Sequence, residues 1–540
     1  MSEKPPPVAP NFAAVKAGAI KLTHQERIKQ EKDGLAVLDD LLGRFARDGF
    51  ASIPEEEFER TKWFGFYRQR PKSSGYFMQR IKMPGGQYTA EQGKVIAEFA
   101  AERARGFLDV TTRQTFQMHW LQVEDFPVFW NRIKAVGMTS SGACGDDTRN
   151  VVGCPVAGVD PHEIFDATPF ALAASRMLTD NRDFSNLPRK YKISISGCAI
   201  QCAQPDINCL SLFGVRRANG EPGFGVMVGG GLSISPHLAQ ILPVFVPLEE
   251  KKVLDVVRGV SEIFRDEGYR ANRMRARLKF LVADWGAQKF TEELQKRVAF
   301  PLEPGEEWVR PKDAESDHFG VHPQKQKGLS YVVISCLGGR IRAEKLRKLC
   351  ELSAEFGSGR MRNTNKQNIA LLDIPEAKLP ALLQALDAHG FPYRASEFRK
   401  GAISCTGSEF CNLAVVETKN RVMLLVQQLE ETGLNPGKIR IHVSGCPYSC
   451  SQYQVADLGF RGTKAKVDGQ QVDAFEMFVG GRLGDGRRFS ELVKSRIPSK
   501  DLHLVVRRTI EFYLAHRQGT ESFTDFCART PREQIRAALA

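Results

Sequence analysis

An alternation of apolar and polar side chains runs through residues 76–83 (YFMQRIKM) and 330–337 (SYVVISCL), and each run meets a Gly-Gly pair. A period of two predicts strands, and the glycines predict tight turns. The apolar spacing then changes to the helical period in residues 89–103 (TAEQGKVIAEFAAER) and 342–356 (RAEKLRKLCELSAEF). Strand signals return in residues 109–117 (DVTTRQTFQ) and 362–369 (RNTNKQNI). Each set predicts a small α+β unit, a sheet covered by helices. Downstream, YKISIS (191–196) and IRIHVS (439–444) both lead into SGCxxxC, then a Val-Gly-Gly turn and closing helices.

These landmarks recur in one order at nearly one offset. Gly86 and Gly339 are 253 residues apart, as are Gln114 and Gln367; Gly197 and Gly445 are 248 apart, Gly229 and Gly480 251. The chain is therefore an internal duplication of two halves of about 250 residues. The polar stretch 303–317 (EPGEEWVRPKDAESD) reads as the linker between them. The first forty or so residues, with PPP and KQEKDG, read as an arm wrapped around the outside.

The chain's 540 residues exceed one hydrophobic core and suggest three or four domains. No run of eighteen apolar residues predicts a membrane span, and the start MSEKPPPVAP matches neither a secretory signal nor a transit peptide, so the expected location is cytoplasmic. A net charge of +13 suits nucleic acid, an anionic small molecule or an acidic partner. The basic residues read as scattered, without a Lys/Arg run interleaved with aromatics, which argues against nucleic acid.

Spacing singles out four of the twelve cysteines. Cys405 and Cys411 form C-x5-C, and Cys446 and Cys450 form C-x3-C, in turns rich in Gly, Ser and Pro. Four thiolates suit a 4Fe–4S cluster. Tetrahedral zinc is the rival, though structural zinc sites favour tighter pairs, and four inert buried thiols are the plain alternative. Cys336, Cys350 and Cys527 read as small core residues. Cys198 and Cys202 occupy the repeat positions of Cys446 and Cys450, with Cys154 as a conceivable third ligand. Arg149 precedes Cys154 by five residues, so the first half offers no second C-x5-C pair, and its cysteines read as a decayed ligand site, now buried thiols.

CTGSEFCNLAVVETK followed by HVSGCPYSCSQYQVADLGF resembles the cluster signature of the siroheme nitrite and sulfite reductases. RTKWFGFYRQR, FMQRIKMPGG, DDTRNVVGCPVAGVDPHEI, LPRKYK, HFGVHPQKQKGLS and MFVGGRLG resemble other segments of that family, in its order, over about residues 61–506. The resemblance implies an α+β, internally duplicated fold with an arm (1–60), ferredoxin-like half-domains (61–130 and 318–390), a siroheme and substrate domain (140–300) and a cluster and siroheme domain (398–530). It implies that Cys405, Cys411, Cys446 and Cys450 hold the cluster and that Cys450 also ligates the siroheme iron. Arg80, Arg149, Lys190 and Lys192 match the family's substrate cations, and Arg113, Gln114, Asn150, Lys325 and Arg482 its siroheme contacts. In some relatives a cysteine near Cys144 is cross-linked to a tyrosine, here Tyr67.

The layout is most similar to ferredoxin-dependent nitrite reductases, which implies six-electron reduction of nitrite to ammonia. Sulfite reduction is the alternative, because sulfite reductases carry Lys at both positions of LPRK-x-K, as here, where plant-type nitrite reductases tend to carry Asn at the second. No flavin-binding or G-x-G-x-x-G segment is present, so electrons are expected from ferredoxin or another separate donor, and a monomer is the expected state. Precorrin-3B synthases share the cluster pattern but are shorter and lack this set of cations. A non-enzymatic cluster protein is the remaining class.

Overall fold

The structure, a computed structural model, describes residues 22–312, 314 and 318–539. It holds four five-stranded sheets that form two related pairs. The first sheet runs Phe66–Arg68, Phe77–Arg80, Phe116–Leu121, Phe107–Val110, and ends on Arg340–Arg342 from the other half. Its counterpart runs Gly320–Pro323, Leu329–Ile334, Ile369–Pro375, Arg360–Asn363, and ends on Gln87–Thr89 from the first half. The two ferredoxin-like units thus exchange edge strands. Each exchanged strand leaves directly from a Gly-Gly turn. Gly86 (φ 73) is the tight point, because a Cβ there would stand 2.1 Å from the Asn363 carbonyl; only glycine tolerates both the backbone angle and the approach. Helices Ala90–Arg103 and Ala343–Phe356 pack together over this double sheet in one core.

The other two sheets carry the cysteines. In the first half, Ile193–Ser196 lies parallel to Leu210–Arg216, followed by antiparallel Pro222–Val228 and Gln240–Pro247. In the second half, Ala402–Ser404, Ile441–Ser444 and Leu458–Val467 are parallel, and Gln470–Val479 and Glu491–Pro498 complete the sheet. Gln204 and Gln452, 248 positions apart, exchange amide hydrogen bonds of 2.8 and 2.7 Å where the halves meet.

Two expectations are corrected. The start of the chain does not simply wrap the outside: from residue 24 onward it is built in. Val37, Leu41 and Phe45 join the main core, and Trp63 donates to the Ser185 carbonyl at 2.7 Å. Residues 1–21, which include PPP, lie outside the described residues. The presumed polar linker is also packed. Glu303–Pro304 extends the first-half sheet, Trp308 is buried, and Arg310 bonds Asp206 at 2.8 Å. Among the described residues no helix is long and apolar enough to cross a membrane.

A buried charge cluster fastens the start of the chain. Asp146 accepts from Arg273, with one bond of 2.7 Å, and faces Lys29 at 3.4 Å and Arg189 at 3.7 Å; Lys29 and Arg270 both bind Glu26. Burial alone would raise the Asp146 carboxyl, but Arg273 and Lys29 outweigh it and hold it well below the usual range. Its stabilisation is therefore complete above the ordinary aspartate pKa of about 3.9 and is lost as pH falls towards its own lower value. Asp146→Asn is expected to cost about 3–5 kcal/mol by leaving buried cations uncompensated. Hydrogen exchange over residues 24–64 should accelerate in the variant; unchanged protection there would contradict the assignment.

Candidate active site

The cluster cysteines leave the ends of parallel strands. Ala402–Ser404 and Ile441–Ser444 stop together, so Cys405 and Cys446 emerge side by side. The Cys405 N–H donates to the Val443 carbonyl at 3.1 Å, and the Gly445 N–H donates to Cys405 Sγ at 3.2 Å. The Cys411 N–H returns to the Gly407 carbonyl at 3.0 Å, closing the turn between the first pair. All four cysteines line one cavity of about 490 Å³, a size suited to a cofactor. Cys446 is buried, Cys405 and Cys411 are half-buried, and Cys450 is open to the cavity. Among the described residues no three of these sulfurs come within 4.8 Å of one another. They surround a space and do not converge on a point, as four separate irons require.

The same cavity gathers Arg80, Arg113, Arg149, Lys190 and Lys192. Their convergence follows from local pairing. Residues 147–152 run alongside 191–194 through parallel bridges Thr148 to Tyr191 and Val152 to Ser194. The Arg149 N–H donates to the Tyr191 carbonyl at 2.8 Å. Tyr191 points into the core, so period-two alternation turns Lys190 and Lys192 together towards the cavity. Arg80 arrives on its strand opposite Gln117, whose Oε1 accepts from Arg80 Nη2 at 2.9 Å. Arg149 is held by the carbonyls of Ala143 and Gly145 at 3.2 and 2.8 Å, and Arg113 by Asn208 Oδ1 at 2.8 Å and the Asn150 carbonyl at 2.6 Å.

These cations have capacity to spare. Among the described residues, the buried Nε atoms of Arg80, Arg113, Arg149 and Arg277 have no hydrogen-bond partner, and Lys190 and Lys192 form no ion pair. Burial and neighbouring cations pull Lys190 down to about 7, Arg113 to about 9, and Lys192 well below the ammonium range. An anionic occupant would relieve this repulsion. The donor set, the open Cys450 and the surplus of cations together fit an iron–sulfur cluster beside a polycarboxylate tetrapyrrole.

The remaining expected contacts divide. Asn150 borders the cavity, but its side chain is spent on the Met83 N–H and carbonyl at 2.8 and 2.6 Å. Gln114 is buried and bonds both backbone groups of Gly153 at 3.0 Å. Lys325 pairs with Glu163 at 2.6 Å and Arg482 with Asp525 at 2.5 Å, and neither lines the cavity. Gln114, Lys325 and Arg482 are thus not brought to the site.

Arg277 was missed. It lines the adjoining hollow with Lys190, Lys192 and Cys450, and bonds Cys209 Sγ at 3.2 Å. The signal was present: residues 270–279 (RANRMRARLK) form a basic run, contrary to the scattered reading. Folding sends Arg270 and Arg273 to the Glu26 and Asp146 cluster, Arg275 to Asp284, and Arg277 to the adjoining hollow. Tyr67 lies against Cys144, and Arg80 Nη1 donates to Cys144 Sγ at 3.1 Å. Burial would raise the Cys144 thiol, but Arg80 and Arg149 hold it below its usual value.

Family models place this geometry. The nitrite and sulphite reductase 4Fe-4S domain matches residues 144–302 and 399–539, and the nitrite/sulfite reductase ferredoxin-like half domain matches residues 68–136 and 322–389. The chain is 38% identical over 531 residues to an assimilatory ferredoxin-dependent nitrite reductase of Haloferax mediterranei, covering 92% of this chain and 90% of the relative. It is 35% identical over 538 residues to sulfite reductase (ferredoxin) 1 of Mycolicibacterium paratuberculosis, covering 95% and 96%. The solved structure of the Mycobacterium tuberculosis NirA protein superposes with a TM-score of 0.92 at 34% identity, covering 98% of this chain and all of that one.

The Tyr67–Cys144 contact would allow a C–S bond to form with loss of the thiol S–H and a ring C–H, the two hydrogens passing to dioxygen as hydrogen peroxide. Digestion is expected to yield one joined peptide containing Tyr67 and Cys144, two hydrogens lighter than the separate pair, and Cys144→Ser should abolish it. Recovery of only the two unmodified peptides would show a contact without a bond.

Proposed function

This chain belongs to the nitrite and sulphite reductase family and is an oxidoreductase with siroheme and a 4Fe–4S cluster; we propose that it reduces nitrite to ammonia by six electrons drawn from ferredoxin. The observation that carries the reading is the crowd of underused cations beside Cys450. A small anion that gains many electrons at one atom needs that charge and a supply of protons. When bound, the siroheme and the cluster would supply the electrons for this reduction. In this reading Cys405, Cys411, Cys446 and Cys450 hold the cluster, and Cys450 alone also faces the siroheme.

Arg80 and Arg149 bind the anion and stabilise charge that builds on its oxygens. Both project into the cavity on backbone- and side-chain-held guanidinium groups, so they orient and attract. Lys190 and Lys192, turned towards the same cavity, are the proton donors to the bound anion. Arg113 and Arg277 meet the siroheme carboxylates. The relatives are divided, nitrite reductases at 36–38% identity and sulfite reductases at 34–35%, and only that narrow margin favours nitrite. Lys192 supports sulfite as a second reading, because a second ammonium on the cavity wall favours a dianion over a monoanion.

The donor reading rests on the surface beside Cys411. Leu413 and Val415 are exposed there, with Arg70 next to them bonding the Ala414 carbonyl at 2.8 Å. An apolar tip with basic neighbours suits an acidic ferredoxin and gives a short path to the cluster.

Two experiments test these roles. With one artificial donor, Lys192→Asn is expected to raise the nitrite-to-sulfite ratio of kcat/KM by about tenfold, roughly 1.4 kcal/mol; an unchanged ratio would remove Lys192 from substrate choice. With reduced ferredoxin, turnover should fall as salt rises, and Val415→Glu should raise the KM for ferredoxin by about tenfold while methyl-viologen-driven turnover stays at the parent value. Equal loss with both donors would place Val415 in folding and not in docking.

A further inference from the structure

The first-half cysteines do not lie apart as spectators. Gln114 Oε1 accepts from the Gly153 N–H at 3.0 Å, and Gln367 Oε1 accepts from the Ser404 N–H at 2.9 Å. These equivalent bonds align Gly153 with Ser404, and so Cys154 with Cys405. The parallel bridge of Val152 to Ser194 and the pairing of Ile403 with His442 give the same register. Cys198 and Cys202 already stand at the positions of Cys446 and Cys450. Six residues after Cys154 comes Asp160, as Cys411 comes six after Cys405. The pairing inferred from Arg149 is thereby corrected: the first half keeps three of four ligand positions and has Asp160 at the fourth.

The geometry of this remnant differs from that of the cluster site. Cys154, Cys202 and His318 bring their ligand atoms within 4.8 Å of one another, as do Cys154, Asp160 and Cys198. Cys154 Sγ lies 3.8 Å from His318 Nε2, and Cys154 is common to both groups, so it joins Cys198 on one side to Cys202 and His318 on the other. All five side chains are buried, none more than 6% exposed. In a tetrahedral zinc site, metal bonds of about 2.3 Å to sulfur and 2.0–2.1 Å to nitrogen put ligand atoms about 3.6–3.8 Å apart. The cluster sulfurs of the second half are not drawn this close.

We propose that Cys154, Cys198, Cys202 and His318 bind one zinc ion as a closed structural site, with Asp160, whose Oδ2 lies 3.6 Å from Cys198 Sγ, outside the ligand set. Four protein donors leave no open position, so the ion holds structure and does no chemistry. His318 is supplied by the segment joining the halves, and the cysteines by two turns of the first half. Tyr331, Val333, Ala370 and Leu372 of the second ferredoxin-like unit complete the surrounding apolar shell. The ion therefore fastens the crossing between halves to the first cysteine-bearing domain. Buried Arg362, within electrostatic range of Cys154, offsets the surplus thiolate charge.

Metal analysis of the untagged full-length holoenzyme tests this. About one zinc per chain is expected beside about five irons, four from the cluster and one from siroheme. Mercurial treatment should release that zinc to a colorimetric chelator, and Cys202→Ser or His318→Ala should lower its content several-fold with siroheme absorption retained. Growth on cobalt should give the visible bands of tetrahedral thiolate-bound Co²⁺. Zinc well below one per chain in the unsubstituted protein overturns the proposal whether or not the variants fold. An iron count of about six or about nine overturns it too, in favour of a mononuclear iron or a second cluster. Zinc content unaffected by both substitutions overturns the ligand assignment.

Discussion

Holding several positive charges around one hollow is the constraint on which this structure turns. Two unit charges 4 Å apart repel by about 4 kcal/mol at an effective dielectric near 20, and Arg80, Arg113, Arg149, Lys190, Lys192 and Arg277 share two adjoining hollows. The fold opposes this with oriented dipoles. Backbone carbonyls of Ala143, Gly145, Asn150, Ile193 and Leu232 accept the guanidinium hydrogens, and the thiols of Cys144 and Cys209 meet Arg80 and Arg277. Few carboxylates are used, so the site is rigid and still positive. That is the state in which an anion with several oxygens binds best.

The sequence carried much of this, because its signals were local. Turn-borne cysteine pairs and the alternation in LPRKYK are read from neighbours, and the structure brings Cys405, Cys411, Cys446, Cys450, Lys190 and Lys192 to one cavity. The repeat was legible because its landmarks are spaced along the chain. What was not legible depends on distant partners. Gln114 and Asn150 sit in motifs that border the site, yet both side chains are consumed by backbone groups of Gly153 and Met83. Arg277 could be seen only as one of a basic run, since nothing local says which arginine will turn towards Lys190. Likewise, the equal six-residue spacing that matches Asp160 to Cys411 has meaning only once the Gln114 and Gln367 bonds align Cys154 with Cys405.

The two halves have diverged along one physical axis, the space between sulfurs. Both present cysteines from the ends of parallel strands, and both rest on a glutamine that clips the preceding residue. In the second half the turns stand open around a cavity, with Cys450 facing it. In the first half the equivalent groups have drawn together beneath Tyr331 and Val333, with His318 in reach. In the proposed reading, one repeated arrangement serves electron transfer on one side and cohesion on the other.

The edge strands exchanged at Gln87–Thr89 and Arg340–Arg342 bear on how the molecule is made. On a ribosome, the first ferredoxin-like sheet must wait with a bare edge while more than two hundred further residues are added, because the strand that seals it has not yet been synthesised. A bare edge invites pairing with other chains. Neither half is therefore a self-sufficient folding unit, and gene fission between them would leave two fragments that each lack a rim.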